Sequence, residues 1–374
     1  MRLLVTGGCG FIGSAVVRRV LRTTDWSVVV LDKLTYAAEP RALEETAADP
    51  RYRLVVGDVA DAELLARLFA EYRPDAVLHL AAESHVDRSI DGPEAFLSTN
   101  VVGTFRLLEA ALAHWRTLPE PDRSCFRFHH VSTDEVFGAL DPEDAPFRET
   151  SAYDPRSPYA ASKAAADHLV RAWWHTYGLP VLISNASNNY GPWQFPEKLI
   201  PLALTKALAG EPIPVYGRGE QVRDWLFVDD HAAALLAILG RGRVGRTYLV
   251  GARAERTNLE LVRTLCAILD ELVPNSPHRP HARLIRFVAD RPGHDRRYAI
   301  DPTRLEAELG WRPSRSLEEG LRATVAWYLA HRDWLAEMRA RYDGRRLGLV
   351  RPAAAGAEPA AAGTGRTEPE GTER

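Results

Sequence analysis

Leu3-Leu4-Val5-Thr6-Gly7-Gly8-Cys9-Gly10-Phe11-Ile12-Gly13 follows Met1-Arg2 directly, and its reading decides the fold. An apolar, β-branched run predicts a buried strand, glycines at G-x-x-G-x-x-G spacing predict a tight turn, and Ala15–Arg22 predicts the helix after it. Glycine permits the turn, lets backbone approach a pyrophosphate, and leaves the first helical amides facing that charge. The spacing differs from G-x-G-x-x-G, yet the physical demands are the same. Asp32 ends the next predicted strand, about twenty residues on, where a carboxylate binds both ribose hydroxyls and repels a 2′-phosphate. NAD is therefore expected over NADP, with Lys33 pulling the other way.

Outward from this turn, β-rich runs at Leu54–Val56, Ala76–Leu80 and Phe126–Val131 join Val28–Leu31 in alternating with helical stretches at Ala62–Tyr72 and Ala95–His114. A further helix is predicted over Pro158–Tyr177 and a strand over Val181–Ser184, after which prolines and glycines interrupt the rhythm. The expected fold class is α/β: a Rossmann-like, doubly wound parallel sheet with a smaller C-terminal α/β substrate-binding lobe. Residues 1–185 are read as the dinucleotide-binding domain with the Pro158–Tyr177 helix included, and 186–349 as mainly the substrate lobe, with Trp327 and Tyr328 in its core. Residues 350–374, Ala/Gly/Pro/Glu/Thr-rich, are expected to form a disordered tail.

Composition narrows the function classes. A net charge of −3, with 47 basic against 50 acidic residues, gives no footprint for a nucleic-acid backbone. No apolar run is long enough to cross a bilayer, and the start lacks a signal-peptide pattern, so a cytoplasmic protein is expected. Cys9, Cys125 and Cys266 are scattered and lack metal-ligand spacing, so neither disulfides nor a metal site is expected.

Two patterns carry chemistry. Tyr159-Ala160-Ala161-Ser162-Lys163 sets a phenol and an ammonium four residues apart on one helical face, where the cation favours phenolate. Such a tyrosine can take a proton from a sugar hydroxyl while hydride leaves the same carbon for a nicotinamide. Ser132-Thr133-Asp134-Glu135 ends the fifth strand with a hydroxyl and two adjacent carboxylates. If confinement raises one carboxyl's pKa, that group can give a proton while its neighbour takes one, as elimination of water requires. Asp58 after the third strand, and Ala81-Ala82-Glu83-Ser84 after the fourth, stand where ligands gather in open α/β sheets.

With these residues stand Asp32-Lys33-Leu34-Thr35-Tyr36, Ala82-Glu83-Ser84-His85-Val86-Asp87-Arg88-Ser89, Asn188-Asn189-Tyr190-Gly191-Pro192 and Asp290-Arg291-Pro292-Gly293-His294-Asp295. Together they resemble the dTDP-glucose 4,6-dehydratases of the extended short-chain dehydrogenase superfamily, from about Arg2 to Val325. The resemblance implies Tyr159 as base at the sugar O4, Lys163 as its helper and ribose ligand, and Thr133 as a partner of O4. Asp134 would protonate the departing O6 hydroxyl and Glu135 would remove the C5 proton, with hydride returned to C6. A cofactor-binding set is implied too: Gly7, Gly10, Phe11, Ile12 and Gly13 in the turn; Asp32, Lys33, Leu34 and Thr35; Asp58 and Val59; Leu80, Ala81, Ala82, Ser84 and Thr99. Substrate holding is implied for Ser84, Asn188, Glu197, Lys198, Leu199, Pro214, Tyr216, Arg223, Asn258, Arg291 and His294. Two departures are Phe137, where the family pattern has tyrosine, and Asn185, where it has arginine. The implied partner is dTDP-glucose or a related nucleotide hexose, and the implied assembly a homodimer. A nucleotide-sugar 4-epimerase shares the glycine turn, the Tyr-Lys pair and NAD, but needs no second pair of proton-handling groups.

Overall fold

The structure, a computed structural model, describes residues 1–291 and 293–342. Strands β1 (Arg2–Thr6), β2 (Ser27–Asp32), β3 (Tyr52–Val56), β4 (Ala76–His79), β5 (Arg127–Thr133) and β6 (Val181–Ala186) alternate with helices, among them Phe11–Thr23, Ala62–Tyr72, Thr104–Thr117 and Pro158–Tyr177. Later strands are β7 (Asn188–Tyr190), β8 (Ile213–Tyr216), β9 (Val222–Phe227), β10 (Thr247–Val250), β11 (Glu255–Thr257) and β12 (Ile285–Val288). Seven of these form one sheet of order β10-β6-β5-β4-β1-β2-β3, with every neighbouring pair parallel.

The pleat explains the double winding. Leu3 and Val5 face the layer made by Phe11–Thr23 and Val228–Arg241, while Leu4, one residue out of phase, packs on the opposite face with Leu107, Leu108 and Val170. β4 and β6 are buried along their whole length, as strands covered on both faces must be. The chain runs β1 to β2 to β3 on one side, then crosses to β4, β5 and β6. This reversal puts a crevice at the carboxyl ends of β1 and β4, where ligands bind in such sheets.

Two details differ from the sequence reading. The helix expected over Ala95–His114 is broken: Pro93–Phe96 and Thr104–Thr117 flank a π-wound stretch, Leu97–Gly103. Asn100 accounts for the distortion, because its side chain accepts from Glu83 N (2.8 Å) and donates to Glu83 O (3.0 Å) and Ser162 Oγ (2.8 Å). Single π turns of this kind concentrate at functional sites. The division drawn at residue 185 also does not follow the chain's course. After β9, helix Val228–Arg241 packs on Phe11–Thr23 and β10 joins the edge of the large sheet beside β6. The smaller lobe comprises the sheet β11-β9-β7, the pair β12-β8 and the helices Leu199–Ala209, Asn258–Leu272 and Leu317–Ala330. Its core contains Tyr190, Phe195, Trp225, Leu265, Tyr328 and Trp334, with Trp327 half-buried against it. The tail expected at 350–374 lies outside the described residues. Among the described residues no helix is long and apolar enough to cross a membrane.

Candidate active site

A cavity of about 370 Å³ runs along the carboxyl ends of the sheet, walled by the glycine turn, the ends of β2, β4, β5 and β6, and the residues before Leu199–Ala209. Its volume is in the range of small-molecule sites. The turn is built for close approach. Gly7 has φ 71°, and a Cβ there would lie 2.7 Å from Ala81 N. A Cβ on Gly13 would run into Gly7 O and stand 2.8 Å from Gly8 Cα. Gly10 caps the Phe11–Thr23 helix without any side-chain bond to its first amides, which leaves them to an anion.

Asp32 is buried, and its two oxygens accept from Cys9 N (2.9 Å) and Leu34 N (2.8 Å), fixing the carboxylate beside the turn. Lys33 turns away: Nζ donates to Thr99 Oγ1 (2.9 Å) and lies 3.6 Å from Glu83 and 3.7 Å from Asp58. Neighbouring carboxylates thus balance the one cation that argued for a 2′-phosphate. Phe11, Ile12, Thr35, Val59, Leu80, Ala81, Ala82, Ser84 and Thr99 wall the cavity with Gly7, Gly10 and Gly13; Asp58 and Leu34 do not. These residues fit a dinucleotide. Gly13→Ala is expected to cost about 1–3 kcal/mol locally by overpacking and to cut bound dinucleotide at least about tenfold. Nucleotide released on denaturation measures it, and a fully loaded variant would contradict the cradle.

Thr133, Asp134, Glu135, Tyr159 and Lys163 meet at one end of the same cavity. Ser157 caps the Pro158–Tyr177 helix, accepting from Ala160 N at 3.1 Å, with proline in the first turn. That start points Tyr159 and Lys163 at the end of β5. Asp134 is buried, its Oδ2 has no hydrogen-bond partner among the described residues, and burial, then Glu135 and Asp224, push its carboxyl well above the usual range. Burial raises Glu135 too, but Arg291, Lys198 and Arg223 oppose it. Two adjacent carboxyls are thereby made unequal: both are raised, Asp134 with other carboxylates adding to burial and Glu135 with three cations working against it.

The Tyr-Lys pair is arranged differently from the expectation that the cation favours phenolate. Lys163 Nζ donates to Val131 O (2.8 Å) and lies 3.4 Å from His130 Nε2. Burial, then Glu135, with Asp134 and Asp167, hold the Tyr159 phenol above its ordinary range, against the Thr133 hydroxyl. Helical spacing put the two side chains on one face; the β5 carbonyl and the carboxylates decide which contacts are made.

Of the residues expected to hold substrate, Ser84, Asn188, Glu197, Lys198 and Leu199 wall the cavity, with Thr133. Pro214, Tyr216, Arg223, Asn258, Arg291 and His294 stand outside its walls, and the charged ones are engaged by the protein. Arg291 donates to Asp87 (3.0 Å), His294 pairs with Asp290 (2.6 Å), and Arg223 donates to Asp295 O (2.9 Å) under Tyr298. Tyr216 donates to Asp87 (3.2 Å). Phe137 stacks on Phe147 with centroids 5.3 Å apart, and Asn185 donates to Thr133 O (3.0 Å) and Asp167 (3.1 Å). Both departures thus serve the packing behind β5.

Sequence reasoning missed His231, whose Nδ1 lies 2.9 Å from Asn189 Oδ1, and also Gln194 and Trp225, all on the cavity wall. Nothing local distinguishes them. It missed Asp167 as well, although a carboxylate one helical turn past Lys163 was visible. Among the described residues no group of His, Cys, Asp or Glu could hold a metal ion.

The family model for GDP-mannose 4,6 dehydratase matches residues 4–324. The chain is 55% identical over 350 residues to dTDP-glucose 4,6-dehydratase of Neisseria meningitidis, covering 93% of this chain and 99% of that protein. It is 51% identical over 362 residues to dTDP-glucose 4,6-dehydratase 1 of Escherichia coli, covering 92% and 100%. The crystal structure of DesIV, a dTDP-glucose 4,6-dehydratase from Streptomyces venezuelae with NAD bound, matches with a TM-score of 0.81 at 46% identity, covering 90% of this chain and 100% of that one.

Proposed function

The chain belongs to the GDP-mannose 4,6 dehydratase family and, within it, to the dTDP-glucose 4,6-dehydratases, and from that membership we propose an NAD-dependent hydro-lyase that converts dTDP-glucose to its 4-keto-6-deoxy product. The observation that carries this reading is the pair of adjacent carboxyls on the cavity wall with Tyr159 and Lys163 at the end of β5: Asp134 is raised well above the usual range, and Glu135 is raised less freely, against three cations. NAD, when bound, supplies the hydride acceptor at C4 and the donor at C6. Tyr159, as its phenolate, takes the O4 proton and Thr133 holds O4. The resulting ketone acidifies the C5 proton, which Glu135 removes, while Asp134 gives its proton to the departing O6 hydroxyl so that water leaves. Ser84, Asn188, Glu197 and Lys198 orient the nucleotide sugar, with Lys198 suited to a diphosphate oxygen. Arg223, Arg291 and His294 add positive charge or donors from behind the wall. Gly7, Gly10, Gly13 and Asp32 seat the dinucleotide.

A 4-epimerase has no use for this second pair, since it takes hydride from C4 and returns it there. Incubating the protein with dTDP-glucose in deuterated water tests the point. The expected product has lost water and carries deuterium at C5; a hexose inverted at C4 and unlabelled at C5 would overturn the reading. The protein is further expected to hold its cofactor tightly, because each turnover regenerates it. Denaturation should release NAD; NADP would contradict the Asp32 argument. We read the protein as a cytoplasmic homodimer that does not bind nucleic acid. All three cysteines are free, in keeping with a reducing compartment. Leu97 and Val102 are exposed on the π-wound stretch, apolar surface that a second copy would cover.

A further inference from the structure

We propose that Asp167 is a positioning residue for this reaction: a buried carboxylate, one helical turn past Lys163, that keeps the ammonium charged and directed at the end of β5 beside Tyr159. The inference rests on the functional reading above.

Asp167 is fully buried and does not wall the cavity, so it can act on the chemistry only through a neighbour. Its Oδ2 collects three donors from three parts of the chain: Ser132 Oγ on β5 (3.0 Å), Tyr153 OH from the loop before the helix (2.7 Å) and Asn185 Nδ2 on β6 (3.1 Å). Its Oδ1 faces His130 Nε2 at 3.2 Å. Donors and cations near a carboxylate favour its charged form, and His130 first, then the Lys163 ammonium and the Tyr153 hydroxyl, hold Asp167 below the usual carboxylate range in spite of burial.

Lys163, also buried, does reach the cavity wall. An ammonium in such a place gives up its proton unless a negative charge stands near. The groups around it can be taken element by element. From β5 comes His130, and behind it from β4 comes His79, rings 5.2 Å apart; burial lowers both, His130 to about 4, so neither is charged near neutrality. From its own helix come Tyr159, whose phenol burial raises above its ordinary range, and Asp167. Among the described residues Arg171 donates to Tyr153 OH (2.9 Å) and Thr247. Asp134 and Glu135 act on Tyr159. His130 Nε2 lies 3.4 Å from Lys163 Nζ and 3.2 Å from Asp167 Oδ1, so Asp167, one ring away, is the anion that opposes desolvation of Lys163, whose pKa burial lowers to about 8.

The chain contains only four lysines, Lys33, Lys163, Lys198 and Lys206, so lysine labelled with carbon-13 at Cε reports Lys163 directly in the full-length, NAD-loaded protein. Asp167→Asn keeps the shape and removes the charge. The Lys163 titration midpoint is expected to fall by at least about one unit, a tenfold loss of proton affinity. The alkaline limb of kcat should move down with it, while KM for dTDP-glucose stays unchanged. Asp167→Glu, which keeps the charge, should restore the midpoint. Should Asp167→Asn fail to fold, Asp167→Ser, with room for water beside Ser132 and Tyr153, is read the same way. A folded variant with an unmoved Lys163 midpoint, or with turnover reduced equally at every pH, overturns the inference. Wild type that makes no keto sugar sinks the functional reading instead, and the lysine titration still decides this one.

Discussion

Glu135→Gln is expected to stop the reaction after its first oxidation. Glutamine keeps the size of the side chain and removes the base for the C5 proton, so elimination should slow by at least about 100-fold, the usual range for a general base. The earlier step should not suffer. Glu135 is the charged group that raises Tyr159 most after burial, so removing its charge makes the phenol easier to deprotonate. On addition of dTDP-glucose the absorbance of reduced nicotinamide should rise and persist, with no deuterium entering C5. Keto-sugar formation within a few-fold of wild type would rule out Glu135 as the base.

Tyr159→Phe should fail at the other end of the sequence. The ring is buried, and its edge-on contact with Phe96, centroids 6.3 Å apart, survives the change, so the variant loses little beyond its hydroxyl. With no group to take the O4 proton, C4 oxidation should fall by about 10²–10⁴-fold. Reduced nicotinamide should then never accumulate, and the Tyr159→Phe/Glu135→Gln double variant should look like Tyr159→Phe alone, because the phenol acts first. Rapid-mixing absorbance measures both. Accumulation in the double variant at the rate of Glu135→Gln would remove Tyr159 from the first step.

The two variants probe what the sequence made legible, namely chemistry written in short spacings. The glycine turn, Asp32 at a strand end, Tyr159 and Lys163 four apart and the Asp134-Glu135 pair all follow from local geometry on a predictable strand or helix. What stayed hidden depends on residues far apart in the chain. Asn100 distorts its helix through Glu83 and Ser162, contacts that helical periodicity does not carry. Lys163 prefers the Val131 carbonyl to the phenol on its own helix, which only the β5 register determines. The inequality of Asp134 and Glu135 needs Asp224 from β9 and Arg291 from beyond β12. Fold class could be read from rhythm, but the roles of individual charges could not.

The return of the chain to the large sheet limits how such proteins can diversify. Since β10 pairs with β6 and helix Val228–Arg241 rests on Phe11–Thr23, the substrate lobe is not an appendage fused after β6. It is one segment spliced between β6 and that returning helix, plus another added after β10. Cutting the chain after residue 185 would leave β6 with a bare edge of unpaired N–H and C=O groups, an invitation to aggregate. A lobe exchanged at one boundary must bring its own β10 and returning helix with it. Point substitution within the lobe leaves the dinucleotide half intact, and a graft that keeps the native β10 and returning helix needs paired boundaries on both sides of each inserted segment.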